Sequence, residues 1–210
     1  MRCTYDRYSP IESPYLVDFC LFIALDKVKV FTLMSVVMKS LESHLVQYAL
    51  YHRDNRNIRT HLIGVPLIVL SVIFLTFIPL FVLSGIQVML SDLLITAASL
   101  YYVYLSPRLG VVMLCMLVLG NLLAMQLYMQ FIHTNTPMSI FYFSGLGVFL
   151  LGWVIQFIGH YYEGKKPAFV DDLIGLLIGP LFVLVEVLFK FGFMKGLEQS
   201  IVAQAGPYRN

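Results

Sequence analysis

The stretch LIGVPLIVLSVIFLTFIPLFVLSGIQVMLS, residues 62–91, contains no Asp, Glu, Lys or Arg. Residues 109–162 form a second charge-free stretch. It is long enough for two bilayer-crossing helices and a turn, since each crossing needs about 20 apolar residues. Over the 210 residues of the chain, 59% are hydrophobic and only 12% are charged, about half the charged share of a soluble protein. The chain is therefore predicted to be an integral membrane protein, surrounded by a lipid bilayer.

The remaining composition excludes several other classes of protein. The net charge is +2, and the basic residues occur singly or in pairs, so no nucleic-acid partner is expected. Cys3, Cys20 and Cys115 form no CxxC pair, so neither a disulfide framework nor a thiolate metal site is predicted.

Turn residues divide the apolar sequence into five candidate membrane segments. The turn signals are Ser84-Gly85, Ser106-Pro107 and the polar cluster at 134–137. The predicted segments are 62–84, 86–105, 110–131, 139–160 and 173–189. The first two lie so close together that they are expected to form a helical hairpin. The predicted fold is an all-α polytopic membrane helix bundle with four to five membrane segments.

The fifth segment differs from the others because it contains Pro180 and Glu186. Pro180 removes a backbone hydrogen bond and is expected to kink or break the helix. The segment is therefore predicted to be either a kinked span or a re-entrant pair of half-helices. Lys190 and Lys195 fit the charge pattern of the chain only if this segment does not cross the membrane.

Positive charges alternate along the chain, as the positive-inside rule requires. They precede the first segment, follow the second at Arg108, and follow the fourth at Lys165-Lys166. The loops around Gly85 and Asn135 have none. The N-terminal side and the second and fourth loops are therefore predicted to be cytoplasmic.

Four histidines are predicted to lie at one membrane depth. Residues 41–52 fit an amphipathic helix that presents His44 and His52 on one face. His61 begins the first span and His160 ends the fourth, both at the cytoplasmic side. His133 falls in the opposite loop and is left out.

Imidazoles gathered with few competing charges suit a transition metal, and iron, zinc and copper fit equally well. Glu163 follows His160 by three residues, on the same helical face. It could be a ligand, or it could accept the outer N–H of a ligating histidine. The plain alternative is a surface glutamate that neutralises Lys165 or Lys166.

Two sequence blocks resemble the yeast-type 2-hydroxy fatty acid dioxygenases, a family of small multi-span membrane proteins. The blocks are Tyr51-His52-x4-Asn57-x3-His61-x2-Gly64-x-Pro66 and Gln156-Phe157-x-Gly159-His160-x2-Glu163-x3-Pro167-Ala168. Shorter matches are Leu41-Glu42-x-His44 at the start and Asp172-Leu173, Pro180, Glu186 and Phe189-Lys190-x-Gly192-Phe193 at the end. The resemblance covers roughly residues 38 to 193.

The resemblance implies an Fe(II)-dependent dioxygenase of fatty acid α-oxidation. Such an enzyme uses O2 to shorten a long-chain 2-hydroxy fatty acid by one carbon, as in phytosphingosine breakdown at the endoplasmic reticulum. Carried over to this chain, the iron-ligand candidates are His52, His61 and His160, with His44 less certain. Glu163 stays a candidate catalytic residue, either as a ligand or as the acceptor of a ligand's N–H. The domain is then residues 38–195, followed by a tail at 196–210. Residues 1–37 are expected to be an extension with no part in the chemistry. The membrane would be the endoplasmic reticulum in a eukaryote or the inner membrane in a bacterium, with the active site on the cytoplasmic side.

Several nearby side chains could bind the substrate. Arg53, Arg59 or Lys165 could hold its carboxylate, although each could equally be a topology charge that faces lipid head groups. Tyr51 and Gln156 could orient ligands or oxygen, but tyrosine is also common at membrane interfaces.

Other functions remain open at this point. Asp92 and Glu186 are costly at membrane depth and could mark the ion path of a small transporter. In a non-catalytic membrane scaffold the histidines would merely pack. A di-iron desaturase is disfavoured, because the five histidines form no HxxxH or HxxHH cluster.

Overall fold

The computed structural model describes residues 40–167 and 174–210. The predicted extension at 1–37 lies outside these residues. The helices are α1 (Leu41–Ala49), α2 (Asn55–Leu75), α3 (Leu90–Leu105), α4 (Pro107–His133), α5 (Met138–Glu163), α6 (Gly175–Lys190) and α7 (Lys195–Ala205). Two short strands, β1 (Pro79–Leu83) and β2 (Ile86–Met89), lie between α2 and α3.

The helices confirm the predicted all-α membrane bundle. Within the described residues, α2, α4 and α5 are long and apolar enough to cross a membrane, with 21, 27 and 26 residues. The pair α6 and α7 passes the same test only together, and it is bent by 116°; it makes a fourth span if the bent pair is one broken span, and it is otherwise a re-entrant loop. Helix α3 has 16 residues and is shorter than a full crossing requires.

The helical hairpin predicted between the first two segments is wrong, because residues 79–89 form a β-hairpin. Ser84 and Gly85 both have positive φ, 50° and 85°, as a two-residue type I′ turn requires. Pro79 lacks the N–H that would continue α2. In register, Leu83 pairs with Ile86 and Phe81 with Val88. The first span therefore ends at Leu75 instead of residue 84.

Helix α2 begins at Asn55, seven residues before the start of the predicted membrane segment. The side chain of Asp54 accepts a hydrogen bond from the backbone N–H of Arg56 at 2.8 Å. An aspartate in this position satisfies a free N–H at the start of a helix. The added turns bring the polar residues 55–61 into the helix.

Helices α2 and α5 pack antiparallel through a stripe of glycines. Gly145, Gly152 and Gly159 recur every seven residues along α5. A Cβ atom at Gly152 would lie 2.7 Å from Ile68 Cγ1, and one at Gly159 would lie 2.5 Å from Asn57 Oδ1. Glycine thus allows the two backbones to approach closely. The start of α2 consequently lies beside the end of α5.

Pro180 does not break α6, so of the predicted kink or break the break is wrong. It stands in the second turn, so only one hydrogen bond near the start of the helix is lost. The chain bends instead at residues 191–194, where Gly192 and Met194 have positive φ. Most of α6 is buried, including Ile178, Leu181 and Phe182, and this helix packs against α1 and α2.

Candidate metal centre

Three histidines from three segments meet at one end of the bundle. His52 lies in the turn between α1 and α2, His61 in the second turn of α2, and His160 in the last turn of α5. His52 Nε2 and His61 Nε2 are 3.0 Å apart. One ring nitrogen from each of the three histidines lies within 4.8 Å of the others. All three side chains are buried.

The hydrogen bonds of the Nδ1 atoms of His52 and His61 fix the tautomers of these two rings. His52 Nδ1 lies 2.7 Å from the carbonyl oxygen of Tyr48, and His61 Nδ1 lies 2.9 Å from that of Asn57. A carbonyl only accepts, so each Nδ1 donates and carries the ring proton. In the neutral rings both Nε2 atoms are then unprotonated, and they face each other.

Electrostatics favour the neutral form of His52. Burial, reinforced by the neighbouring His61, lowers the pKa of His52 well below its ordinary value. Tyr48 stacks on the His52 ring with the centroids 4.1 Å apart and the planes nearly parallel. The ring is therefore held in place in the protonation state that binds metals.

This donor set fits a transition metal. Two unprotonated nitrogens cannot hydrogen-bond to each other, so a cation between them satisfies both. Metal–imidazole bonds measure about 2.0–2.1 Å, and a separation of 3.0 Å lets both nitrogens reach one ion. His160 Nδ1 is buried and has no hydrogen-bond partner among the described residues. A metal ion at the cluster would bind ring nitrogens to which no group of the described residues donates a hydrogen bond.

Glu163 connects the three histidine segments without joining the cluster. Its Oε2 accepts the backbone N–H groups of Arg53 at 3.0 Å and Asp54 at 2.7 Å. The same oxygen accepts Asn57 Nδ2 at 3.2 Å. The surface interpretation of Glu163 is wrong, because this carboxylate is buried. It supports the backbone beside the histidines, whereas backbone carbonyls accept the outer N–H groups of His52 and His61.

The structure does not bring His44 into the cluster. Helix α1 ends at Ala49, so His52 lies in the following turn and the predicted common helical face is lost. His44 is buried, and its Nε2 lies 3.4 Å from Tyr101 Oη. Together with Tyr51, it lines a separate cavity of about 20 Å³. His133 is exposed at the opposite end of the bundle, as predicted.

The three predicted basic residues have different surroundings. Arg53 is buried and does not face lipid head groups; its Nε donates to the carbonyls of Ala49 and His52. Lys165 is exposed, and its Nζ donates to the carbonyl of Leu50 at 2.8 Å. Arg59 is exposed on the second turn of α2.

A cavity of about 70 Å³ opens beside the cluster, between α2, α5 and α6. Its polar wall contains His61, His160 and Gln156. Gln156 Oε1 is buried and has no hydrogen-bond partner among the described residues. The apolar wall includes Val65, Ile68 and Trp153, so the cavity joins the histidines to the apolar interior of the bundle.

Sequence reasoning missed two parts of this site. It gave Asn57 no role in orienting a histidine, although the Asn57 carbonyl accepts from His61 Nδ1; a backbone contact leaves no residue pattern. It also gave no role to the C-terminal tail, where the Arg209 guanidinium contacts Glu163 Oε1. No local sequence signal marks a contact across so many residues.

A bundle of apolar helices with three buried imidazoles at one end defines an integral membrane protein with a candidate histidine metal centre. The chain belongs to the Mpo1-like family, described as "2-hydroxy-palmitic acid dioxygenase Mpo1-like", which matches residues 38–191. It is 30% identical over 164 residues to the 2-hydroxy-palmitic acid dioxygenase MPO1 of Saccharomyces cerevisiae. That similarity covers 77% of this chain and 87% of the yeast protein. No solved structure matches the chain. The family resemblance of the sequence blocks is thereby confirmed.

Proposed function

We propose that this protein is an Fe(II)-dependent dioxygenase that shortens long-chain 2-hydroxy fatty acids by one carbon with O2. The family and the yeast relative support a 2-hydroxy fatty acid dioxygenase. The single observation that carries the metal-dependent chemistry is the pair of facing, unprotonated Nε2 atoms of His52 and His61. The proposed role is fatty acid α-oxidation, as in the breakdown of phytosphingosine.

In this proposal His52, His61 and His160 hold the iron. When bound, iron supplies Lewis acidity and redox chemistry with O2. The protein holds the imidazoles neutral and buried, and Glu163 fixes the backbone beside them. His44 is not proposed as a ligand, because its ring lies against Tyr101.

Gln156 is proposed to orient the head of the substrate. Its unpartnered Oε1 can accept a hydrogen bond from the 2-hydroxyl group, and it lines the cavity together with His61 and His160. Lys165 and Arg59 stay candidates for the carboxylate because both are exposed. Arg53 is a poorer candidate, since its guanidinium lies 3.7 Å from Glu186.

The acyl tail is proposed to follow the apolar wall of the cavity. On α2 this wall runs from His61 to Val69, which is about 12 Å along a helix. The wall leads from the polar end of the bundle into apolar surroundings. Burying the acyl chain there is favourable. The substrate can therefore enter from the bilayer while its head stays at the cluster.

The proposed membrane is the endoplasmic reticulum in a eukaryotic host or the inner membrane in a bacterial one, with the cluster on the cytoplasmic side. Arg56 and Arg59 lie in the first two turns of α2 with His61, and Lys165 follows the end of α5 with His160, which supports this orientation.

The transporter hypothesis loses its main support. Asp92 accepts the N–H of Met89 and the amide of Asn121, so it caps α3. Glu186 accepts Tyr208 Oη at 3.2 Å and faces Arg53. Both acids have structural partners, and neither needs to lie on an ion path.

The direct test is turnover. Purified protein is incubated with Fe(II), O2 and a long-chain 2-hydroxy acid, and the products are separated by chain length. We expect a product one carbon shorter, formed only when iron, oxygen and protein are all present. Unchanged substrate from a protein that retains iron would overturn the proposed function.

A further inference from the structure

Residues 206–210, here called the strap, lie across the turn that carries His52. The backbone N–H of Arg209 donates to the carbonyl of Arg53 at 2.7 Å, and the N–H of Asn55 donates to the carbonyl of Arg209 at 2.8 Å. Arg209 and Asp54 form a parallel bridge. The strap thus pairs with the backbone on both sides of Asp54, directly after His52.

A charged side chain of the strap reaches the buried carboxylate beside the cluster. The Arg209 guanidinium pairs with Glu163 Oε1, and the Glu163 side chain is fully buried. A buried carboxylate is costly unless a positive charge and hydrogen bonds compensate it. Arg209 supplies that charge from solvent, while Glu163 Oε2 faces the other way and accepts from the His52 turn.

A second anchor holds the strap to α6 and Arg53. Tyr208 Oη donates to Glu186, and the Arg53 guanidinium lies 4.6 Å from the centre of the Tyr208 ring. Arg53 Nη1 also donates to the carbonyl of Gly206 at 3.3 Å. The strap therefore holds both the backbone and the side chain of Arg53, the residue after His52.

We propose that the strap is a positioning element of the histidine cluster, with Arg209 acting through Glu163. This inference rests on the metal centre proposed above. Glu163 accepts from Arg53 and Asp54 after His52 and from Asn57, whose carbonyl orients His61. It also lies one turn beyond His160 on α5. The Glu163 carboxylate thus positions the backbone next to all three histidine rings, and Arg209 positions the carboxylate.

The strap lies outside residues 38–191, the part of the chain that matches the family. Its role is therefore an inference about this chain's own residues. Mutating a group that orients a metal ligand without touching the metal typically lowers the metal affinity about 10–100-fold. We expect Arg209→Ala to weaken Fe(II) binding about 10-fold and removal of residues 207–210 to weaken it about 100-fold.

The experiment compares wild type, Arg209→Ala, Arg209→Lys and the 207–210 deletion, with Arg108→Ala as the matched control. Arg108 is an exposed arginine in the first turn of α4. Fe(II) affinity is measured anaerobically in detergent, and amide hydrogen exchange is measured at Arg53 and Asp54. We expect faster exchange and weaker binding in Arg209→Ala, recovery in Arg209→Lys, and wild-type values in Arg108→Ala.

Two results would overturn the inference. One is unchanged Fe(II) affinity in Arg209→Ala; the other is an equal loss in Arg108→Ala. If wild type binds no iron, the proposed metal centre fails, and the exchange measurement alone decides the strap: unchanged exchange in Arg209→Ala refutes it, and faster exchange supports it. If the deletion does not fold, the two Arg209 substitutions decide.

Discussion

Glu163 has different partners on its two oxygens. One accepts from the turn after His52 and from Asn57, and the other pairs with Arg209. A carboxylate with both oxygens occupied in this way has little capacity left to bind an ion. It acts instead as the link between the segments that carry the histidines.

Glu163→Gln tests this link. Glutamine keeps the size and one acceptor, but its NH2 group faces a donor, either Arg209 or the backbone N–H groups. We expect the free energy of unfolding to fall by about 1–3 kcal/mol, as for other buried polar groups left without partners. Denaturant unfolding in detergent measures the change. A variant as stable as wild type would show that the carboxylate is not a structural link.

At the scale of elements, the contact between α2 and α5 brings His61 and His160 together. The close approach depends on glycines that face α2. Gly147 lies on the same helix, but a Cβ atom added there would meet no other atom within 4 Å. Only some of the glycines of α5 are therefore needed for packing.

Gly159→Ala and Gly147→Ala separate these two kinds of glycine. A Cβ atom at Gly159 would lie 2.0 Å from Thr60 Oγ1 and 2.5 Å from Asn57 Oδ1. We expect Gly159→Ala to cost about 1–3 kcal/mol of stability, as overpacking does, and to weaken iron binding by displacing Asn57. Gly147→Ala should be neutral or slightly stabilising, since alanine favours helix. Thermal unfolding of the two variants provides the measurement, and equal effects would contradict the proposed role of Gly159 in packing.

The helices were predictable where the sequence has a long stretch without charged residues, because such a stretch fits a membrane-crossing helix. Helices α4 and α5 match the predicted segments to within a few residues because turn residues bound them. The β-hairpin was not predictable, since short apolar runs fit strands and helices equally well. His52, His61 and His160 were predictable from membrane depth, whereas His44 was misplaced because α1 ends three residues before His52. The pairing of Arg209 with Glu163 depends on tertiary contact alone.

At the scale of the whole molecule, the cluster and His133 lie at opposite ends of the bundle. Helix α5 has 26 residues, about 39 Å of helix, which exceeds the roughly 30 Å of bilayer hydrocarbon. The two ends of α5 are therefore expected on opposite sides of the membrane.

Cysteine labelling tests this orientation in a variant that lacks the native cysteines. We expect a cysteine at position 108 to react with a membrane-impermeant thiol reagent only from the cytoplasmic side. A cysteine at position 135 should react only from the other side. Labelling of both positions from one side would contradict the predicted topology.

Residues 1–37 are predicted to be dispensable, because the family match begins at residue 38. A chain that starts at Met38 should retain iron binding and turnover within about two-fold of the full chain, a difference of less than ~0.5 kcal/mol. Activity per folded protein is measured for both chains. Loss of activity in a truncated chain that is well folded would assign a role to the extension.

The iron content of the purified protein and of its histidine variants, measured by mass spectrometry, tests the proposed metal centre most directly. We expect about one iron ion per wild-type chain. Iron should be lost in His52→Ala, His61→Ala and His160→Ala and kept in His44→Ala and His133→Ala. A wild-type chain that retains no iron under anaerobic loading, or a His52→Ala chain that retains as much as wild type, would contradict the proposed centre.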